Sequence, residues 1–563
     1  MKLKRLPFFC KSMLAALCLL GAGMTFTSCD DDSEDLTQVD RGAPFDPSQP
    51  VYITSFTPTT GGYQDRIIIY GSNFGIVKEN VNLSIGGKPV VIATIRDNAI
   101  YGYVPSTAYD NVETDTDAEG NEVNKFTGEM HIVVSDGNGN TQEATAPGVF
   151  TYTPKKVVGT LCGSSNDYET QGEVFGSFEE ARGFAYETTM EFDPEDPDML
   201  YMPYDMIPGW MPNGGAWGGY IVKIDFKNQR VERAISASKF GNRRLNDITF
   251  TKDGQYMVAS VCAWDQQERT PSIYMIKRDA KGGFSDNSDI QIACRFNTSN
   301  GVCTHPVNGE IYFFGYPNAN LLRFDPEDYF AGVEAGTWTG LQADGAYEEV
   351  FRVFDVNYTS WLAMHPSGNY MYITCDNMHS IYRSDYDWDA KTFTTPYVAA
   401  GTLGGYGYKE AVGSEARLAF PHQGCWVPNQ QYIDEGRADI YDYYFADSGN
   451  YCIRKLTPDG VVSTVAGRGQ STDGNLWGIE DGDPRADARF RDIHGMAYDA
   501  KRDRIYTCDP CNYRIRYYGL DSVVDENTGD DNGDNGDNGD NGDNADNAEP
   551  QGAKFPPLKP AAQ

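Results

Sequence analysis

Through the greater part of the chain, short runs of aliphatic and aromatic residues alternate with polar positions, and clusters of Gly, Asn, Asp and Pro break them before a long helix can form. Ile311-Tyr312-Phe313-Phe314 followed by Leu321-Leu322-Arg323-Phe324 reads as strand, turn, strand, and so does Met371-Tyr372-Ile373 followed by Ile381-Tyr382-Arg383. The unit recurs in six copies: Met199 to Ile224, Tyr256 to Lys277, Glu310 to Phe324, Tyr370 to Arg383, Asp439 to Leu456 and Arg504 to Tyr517. A unit of this size cannot bury its own apolar face. The pattern therefore predicts an array of four-stranded antiparallel blades.

Two copies are close in detail. Asp-x-x-Asn-Tyr-x-Ile-Arg runs from Asp447 to Arg454 and again from Asp509 to Arg516, each time directly after a strand-like run. An outer-strand segment, Val461 to Gly467, follows the fifth copy, and a related one, Val398 to Gly404, follows the fourth. The sixth has none. A matching segment, Val157 to Gly163, stands ahead of the first copy, and it is expected to complete the sixth blade and leave no open edge. The signatures Glu180-Ala181-Arg182, Glu415-Ala416-Arg417 and Asp487-Ala488-Arg489 lead into blades one, five and six, and read as loop packing with Ala inward and Arg bonding carbonyls. These residues resemble the NHL-repeat family. The resemblance implies a six-bladed β-propeller over residues 155–521, but no single activity, because such propellers serve as enzymes and as binding platforms.

The first residues read as a signal. Lys2, Lys4, Arg5 and Lys11 precede an apolar run from Met13 to Met24, too short to span a bilayer. Phe26-Thr27-Ser28-Cys29 resembles a bacterial lipobox, which implies a signal peptide over 1–28 and a lipidated Cys29. An acidic linker, 29–48, begins Asp30-Asp31-Asp32-Ser33-Glu34-Asp35 and resembles the export signal of surface lipoproteins in polysaccharide-foraging Gram-negative bacteria. Residues 49–154 show strands at sandwich spacing, among them Arg66 to Tyr70, Leu83 to Ile85 and His131 to Ser135. With the turn Gly71-Ser72-Asn73-Phe74-Gly75 and the closing Phe150-Thr151-Tyr152, this part resembles an IPT/TIG domain, an immunoglobulin-like fold, expected here as a spacer. The fold class is thus all-β, a sandwich followed by a propeller.

Residues 522–563 form an Asp/Asn/Gly-rich tail that buries almost nothing and is expected to be disordered. The chain carries a net charge of −35, which argues against nucleic acid as a partner. Of twelve cysteines, nine remain outside Cys10, Cys18 and Cys29. The lone pair Cys508 and Cys511 reads as a disulfide or two free thiols rather than zinc, since no second pair stands at metal spacing.

Histidine is scarce. His422 and His494 begin inner strands of adjacent blades near the axis and are the candidate metal pair, but a catalytic zinc needs a third ligand that the sequence does not supply. No nucleophile elbow and no His-Glu-x-x-His motif occurs, and the pattern calls for no cofactor. The aromatic loops carry a positive signal instead. Trp210 and Trp217 lie between the second and third strands of blade one, Trp264 starts the equivalent loop of blade two, and Trp477 lies in the insertion joining blades five and six. Such loops emerge on one face, where Tyr406 and Tyr408 join them. Indole and phenol rings with Asp and Asn beside them suit a neutral glycan. The expected protein resembles the glycan-binding lipoproteins of starch-utilisation-type uptake systems: lipid-anchored at the outer-membrane surface and serving uptake proteins there. The alternatives are a propeller hydrolase or lyase at the axial cavity, and a protein-interaction platform.

Overall fold

In the computed structural model, described residues span 41–521 apart from 106, 117–121, 164–173, 186–188, 205–217, 263–269, 297, 317–318, 354–359 and 469–474. Residues 522–563 and the proposed signal, linker head and Cys29 lie outside them.

Residues 52–152 fold as two largely antiparallel sheets packed face to face. One comprises Tyr52–Thr57, Arg66–Ser72, Ala99–Tyr103 and Val91–Arg96; the other is built on the long hairpin of Glu122–Ser135 and Thr141–Tyr152. Alternate residues point inward, so Ile67, Ile69, Ile85, Met130, Ile132 and Phe150 form the core while Arg66 and Tyr70 face solvent. The Gly71 to Gly75 turn serves this core. Asn73 adopts a left-handed conformation (φ 60°), which drives Phe74 into the core, and its side-chain amide donates to the carbonyls of Asp46 and Gln49 at 2.8 Å.

Six further sheets follow, one for each sequence copy. The six innermost strands are Glu191–Asp193, Arg244–Phe250, Ser299–Thr304, Ser360–Met364, Pro421–Pro428 and Met496–Asp499. Each contacts the next, and the last contacts the first, so the ring is closed around an axial channel. Blade six confirms the closure expected from the sequence. Lys156–Gly163 pairs antiparallel with Arg514–Leu520, from Lys156 opposite Leu520 to Gly163 opposite Arg514. Apolar side chains between neighbouring blades hold the ring, for instance Ile453, Ala466, Phe490 and Met496 between blades five and six.

The repeated motif is structural. Asp447 ends its strand fully buried, accepts the Ala419 amide and the Asn450 side chain, and pairs with the equally buried Arg454 at 3.1 Å. Arg454 also donates to the carbonyls of Arg417 and Lys409, so one guanidinium ties three segments together. Asp509, Asn512 and Arg516 repeat the network in blade six. Blade four has the same turn, with Cys375, Met378 and Tyr382 where blade five has Asp447, Asn450 and Arg454; there an apolar cluster replaces the ions.

The three signatures meet their expectation in part. Ala181, Ala416 and Ala488 are all buried, and Arg417 donates to the carbonyls of Ser414, Glu415 and Ala416. Two helices were not read from the sequence. Pro326–Glu334, capped by the Asp325 carboxylate on the Glu327 amide, fills the connection to the outer strand of blade three, and Gln430–Asp434 caps a hairpin of blade five.

Candidate binding site at the propeller axis

Inner strands of blades four, five and six begin at one face of the ring, and the loops between their second and third strands rise beside them. Because the repeats are equivalent, the residues that open the inner strands of adjacent blades are brought together. His422 and His494 each stand five residues after the signature arginine, Arg417 and Arg489. Their rings lie parallel, 4.1 Å apart and 5° from coplanar orientation. Trp361 of blade four packs on the other side of His422, also at 4.1 Å. The two imidazoles form a stacked floor, with the Trp361 ring tilted 31° from that of His422 beside it.

Above this floor is a cavity of about 510 Å³, within the range of small-molecule sites. Its walls bring together Asp376 and Ser448 from second-to-third-strand loops, Phe420 and Asp492 from the positions two residues before the histidines, and Trp477 with Arg491 from the blade five to six insertion. Trp477 is 43% exposed and the Arg491 guanidinium lies 5.1 Å from its ring centre, so the indole is positioned at the mouth rather than folded into the core.

The charges in this cavity are balanced. Burial tends to raise the Asp492 carboxyl, but the hydrogen bond and charge of His494 at 3.4 Å, with the Ser448 hydroxyl donating to Asp492 Oδ1, hold it below the usual carboxylate range. Burial pushes Asp376 up to about 6, and the negative charge of Asp492 adds to that shift against the pull of His494. Burial and the neighbouring His494 charge hold His422 well below the usual imidazole range, so it stays neutral. The two imidazoles do not form a metal site. Their lone pairs lie in the planes of two nearly parallel rings with centroids 4.1 Å apart, so no ion is in plane with both rings. Among the described residues no group of three or more His, Cys, Asp and Glu is placed to hold a metal.

The six sequence candidates for the ligand face separate. Trp477 lines the cavity. Tyr406 is 62% exposed and packs edge-on against His379 and Phe420, beside the cavity rim. Tyr408 turns toward the outer strands of blade five: its hydroxyl shares a 2.7 Å hydrogen bond with Thr464 and its ring lies under Arg468 at 3.9 Å. Trp210, Trp217 and Trp264 lie outside the described residues. The axial histidines and the aromatic loop, which the sequence offered to two rival functions, thus share one cavity.

Asp376, Asp492, Arg491 and Phe420 were not singled out by sequence. The spacing of the signatures held the clue: aligning Glu415 to His422 with Asp487 to His494 places Phe420 opposite Asp492. The Cys508 and Cys511 alternative resolves to two free thiols. Cys508 is buried against the Met202 sulfur, whereas Cys511 lines the cavity, donates weakly to Asp492 at 3.6 Å, and has its thiol pushed up to about 11, chiefly by burial.

Comparison with known proteins fits this geometry. The IPT/TIG domain model matches residues 50–152. A candidate phosphatase of Bacteroides thetaiotaomicron VPI-5482 is 36% identical, with a TM-score of 0.63 over 85% of this chain and 98% of its own. An auxiliary nutrient binding protein of the same organism is 30% identical, with a TM-score of 0.62 over 85% and 100%. Another protein of that description, from Bacteroides ovatus ATCC 8483, is 27% identical, with a TM-score of 0.56 over the same shares. No curated protein sequence matches.

Proposed function

This chain belongs to the family of sandwich-and-propeller proteins that includes the two Bacteroides thetaiotaomicron relatives, and from that membership we propose that it binds a nutrient, a neutral glycan, in the cavity beneath Trp477. The observation that carries the reading is an exposed indole at the mouth of a cavity of about 510 Å³ whose walls offer two carboxyls, a hydroxyl and one guanidinium. A sugar ring presents a C–H face to the indole and its hydroxyls to the polar groups. A strongly anionic glycan meets Asp376 and Asp492 with one arginine in opposition and is disfavoured. The lipobox-like Cys29 and the sandwich complete the proposal: a lipid anchor at the outer-membrane surface, a spacer, and a propeller that captures an oligosaccharide for uptake proteins.

Affinity electrophoresis of the soluble protein through neutral and acidic polysaccharide gels tests this, with Trp477→Ala and the double variant Trp210→Ala, Trp217→Ala alongside. Retardation by a neutral glycan, weakened at least tenfold in Trp477→Ala, is expected. Retardation that Trp477→Ala leaves unchanged, or none on any gel, sinks the assignment of this cavity. The catalytic alternative has one specific observation behind it, the cluster of Ser448, Asp492 and His494 in the cavity. Ser448 donates to the carboxylate rather than to an imidazole, so the cluster lacks the nucleophile-to-base hydrogen bond of a hydrolytic triad. Turnover of chromogenic glycosides or phosphate esters, abolished by His494→Ala, would favour it instead.

A further inference from the structure

Below the stacked floor the channel opens again. On each of two inner strands one residue enters the ring stack and the next faces the lower space: His422 is followed by Gln423, and Trp361 by Leu362. This lower chamber, about 340 Å³, draws its walls from the innermost strands of all six blades. Its wall is mixed: Leu362 and Met496 are among the apolar side chains, and Glu191, Thr249 and Gln423 bring a carboxyl, a hydroxyl and a carboxamide to it from three blades. They are held in place. Thr249 Oγ1 donates to Glu191 Oε1 at 3.4 Å, and Gln423 Oε1 accepts the Met190 amide at 3.1 Å, which commits that end of the amide and orients the other. Gly495 allows this approach, since a Cβ there meets Gln423 Oε1 at 2.9 Å and the Thr189 backbone at 2.3 Å. A concave space in which a few fixed polar groups stand among apolar side chains is how small-molecule sites are built, and this volume stands at the small end of their range.

We propose that the lower chamber is a second binding site, separate from the Trp477 cavity, for a compact uncharged molecule of about one ring that carries both hydrogen-bond donors and acceptors. Burial, with the negative charge of Asp247 adding to it, pushes the Glu191 carboxyl well above its usual range, so it enters the site as a neutral acid that donates one hydrogen bond and accepts another. Among the described residues no basic side chain lines the chamber to receive an anion.

The test uses methyl β-glucoside and glucuronate as probes, with saturation-transfer NMR on the full chain carrying Trp477→Ala, so that the upper cavity is disabled. The neutral glycoside is expected to receive saturation from this protein and glucuronate to receive none. Glu191→Leu, added to the same background, is expected to reduce the transfer at least tenfold. Ala363→Met, which fills the chamber from blade four, provides an independent variant should the first fail to fold, with the same expected loss. Absence of transfer in the Trp477→Ala protein, equal transfer to glucuronate, or transfer unchanged by the folded chamber variants would overturn the proposal. Its failure leaves the upper-cavity reading standing, because that reading rests on the loss caused by Trp477→Ala itself.

Discussion

Arg454 and Arg516 are among the largest fully buried side chains of the protein, and each is surrounded by groups that only a guanidinium satisfies. Removing one such partner leaves an uncompensated carboxylate and orphaned carbonyls. Arg454→Met is expected to cost about 3–5 kcal/mol in denaturant unfolding. Lys409→Ala, which removes the exposed pair with Glu415, is expected to leave the midpoint where it is. Glu191 supplies a pH signature. Its folded-state pKa is raised, so its contribution to stability is complete below the unfolded value near 4.3 and is lost as pH rises toward the folded one, at up to about 1.4 kcal/mol per pH unit. Glu191→Gln lacks that term. The variant is expected to gain on the parent in urea midpoints as pH rises above the unfolded value, and an identical pH slope in the two proteins would contradict a buried, protonated Glu191. At this scale the sequence was partly legible. His422, His494 and Trp477 stood out because His and Trp are rare here, whereas Asp376 and Asp492 were hidden among 81 acidic residues and are distinguished only by folding next to the histidines.

Strands were the most legible elements, because a blade buried on both faces between neighbours writes a dense apolar run bounded by turn residues. All six predicted strand pairs are present, and the segment ahead of the first copy closes the ring as its resemblance to the other outer strands implied. What stayed hidden was local: the helix Pro326–Glu334 occupies a connection without repeat character, and its signal, Asp325 followed by Pro326, is short. Closure has a measurable consequence. Arg514–Leu520 is the third strand of blade six and its outer edge is covered by Lys156–Gly163, so a chain beginning after Gly163 exposes that edge. Such a truncation is expected to elute as soluble aggregate in size-exclusion chromatography, whereas one that ends at residue 521 and keeps Lys156–Gly163 is expected to remain monodisperse.

At the scale of the molecule, the sandwich is docked rather than strung. Tyr152, at the end of its last strand, donates its hydroxyl to Asp521, and the same carboxylate accepts the Lys155 amide at 2.9 Å. Lys155 also pairs with Asp65 of the sandwich, and Gln64 packs on Gly482 of the blade five to six insertion. The joint therefore holds the sandwich against blade six. Asp521→Ala removes its central acceptor and is expected to divide calorimetric unfolding into two transitions, sandwich and propeller, where the parent shows coupled melting. None of these contacts was legible in sequence, since Asp521 lies where the repeat pattern ends and its partners stand at the opposite end of the propeller.

The strand that closes blade six also sets a timetable. Lys156–Gly163 is the first propeller strand to be synthesised, and its partner, Arg514–Leu520, is the last. Five blades can assemble from neighbouring hairpins while the sixth waits for the whole ring to exist, and the entropy of joining such distant segments must be met in one late step. Until then the strand beside the sandwich is an unpaired edge. A nascent chain is at its most adhesive just before completion, and the final few residues of the propeller decide when that interval ends.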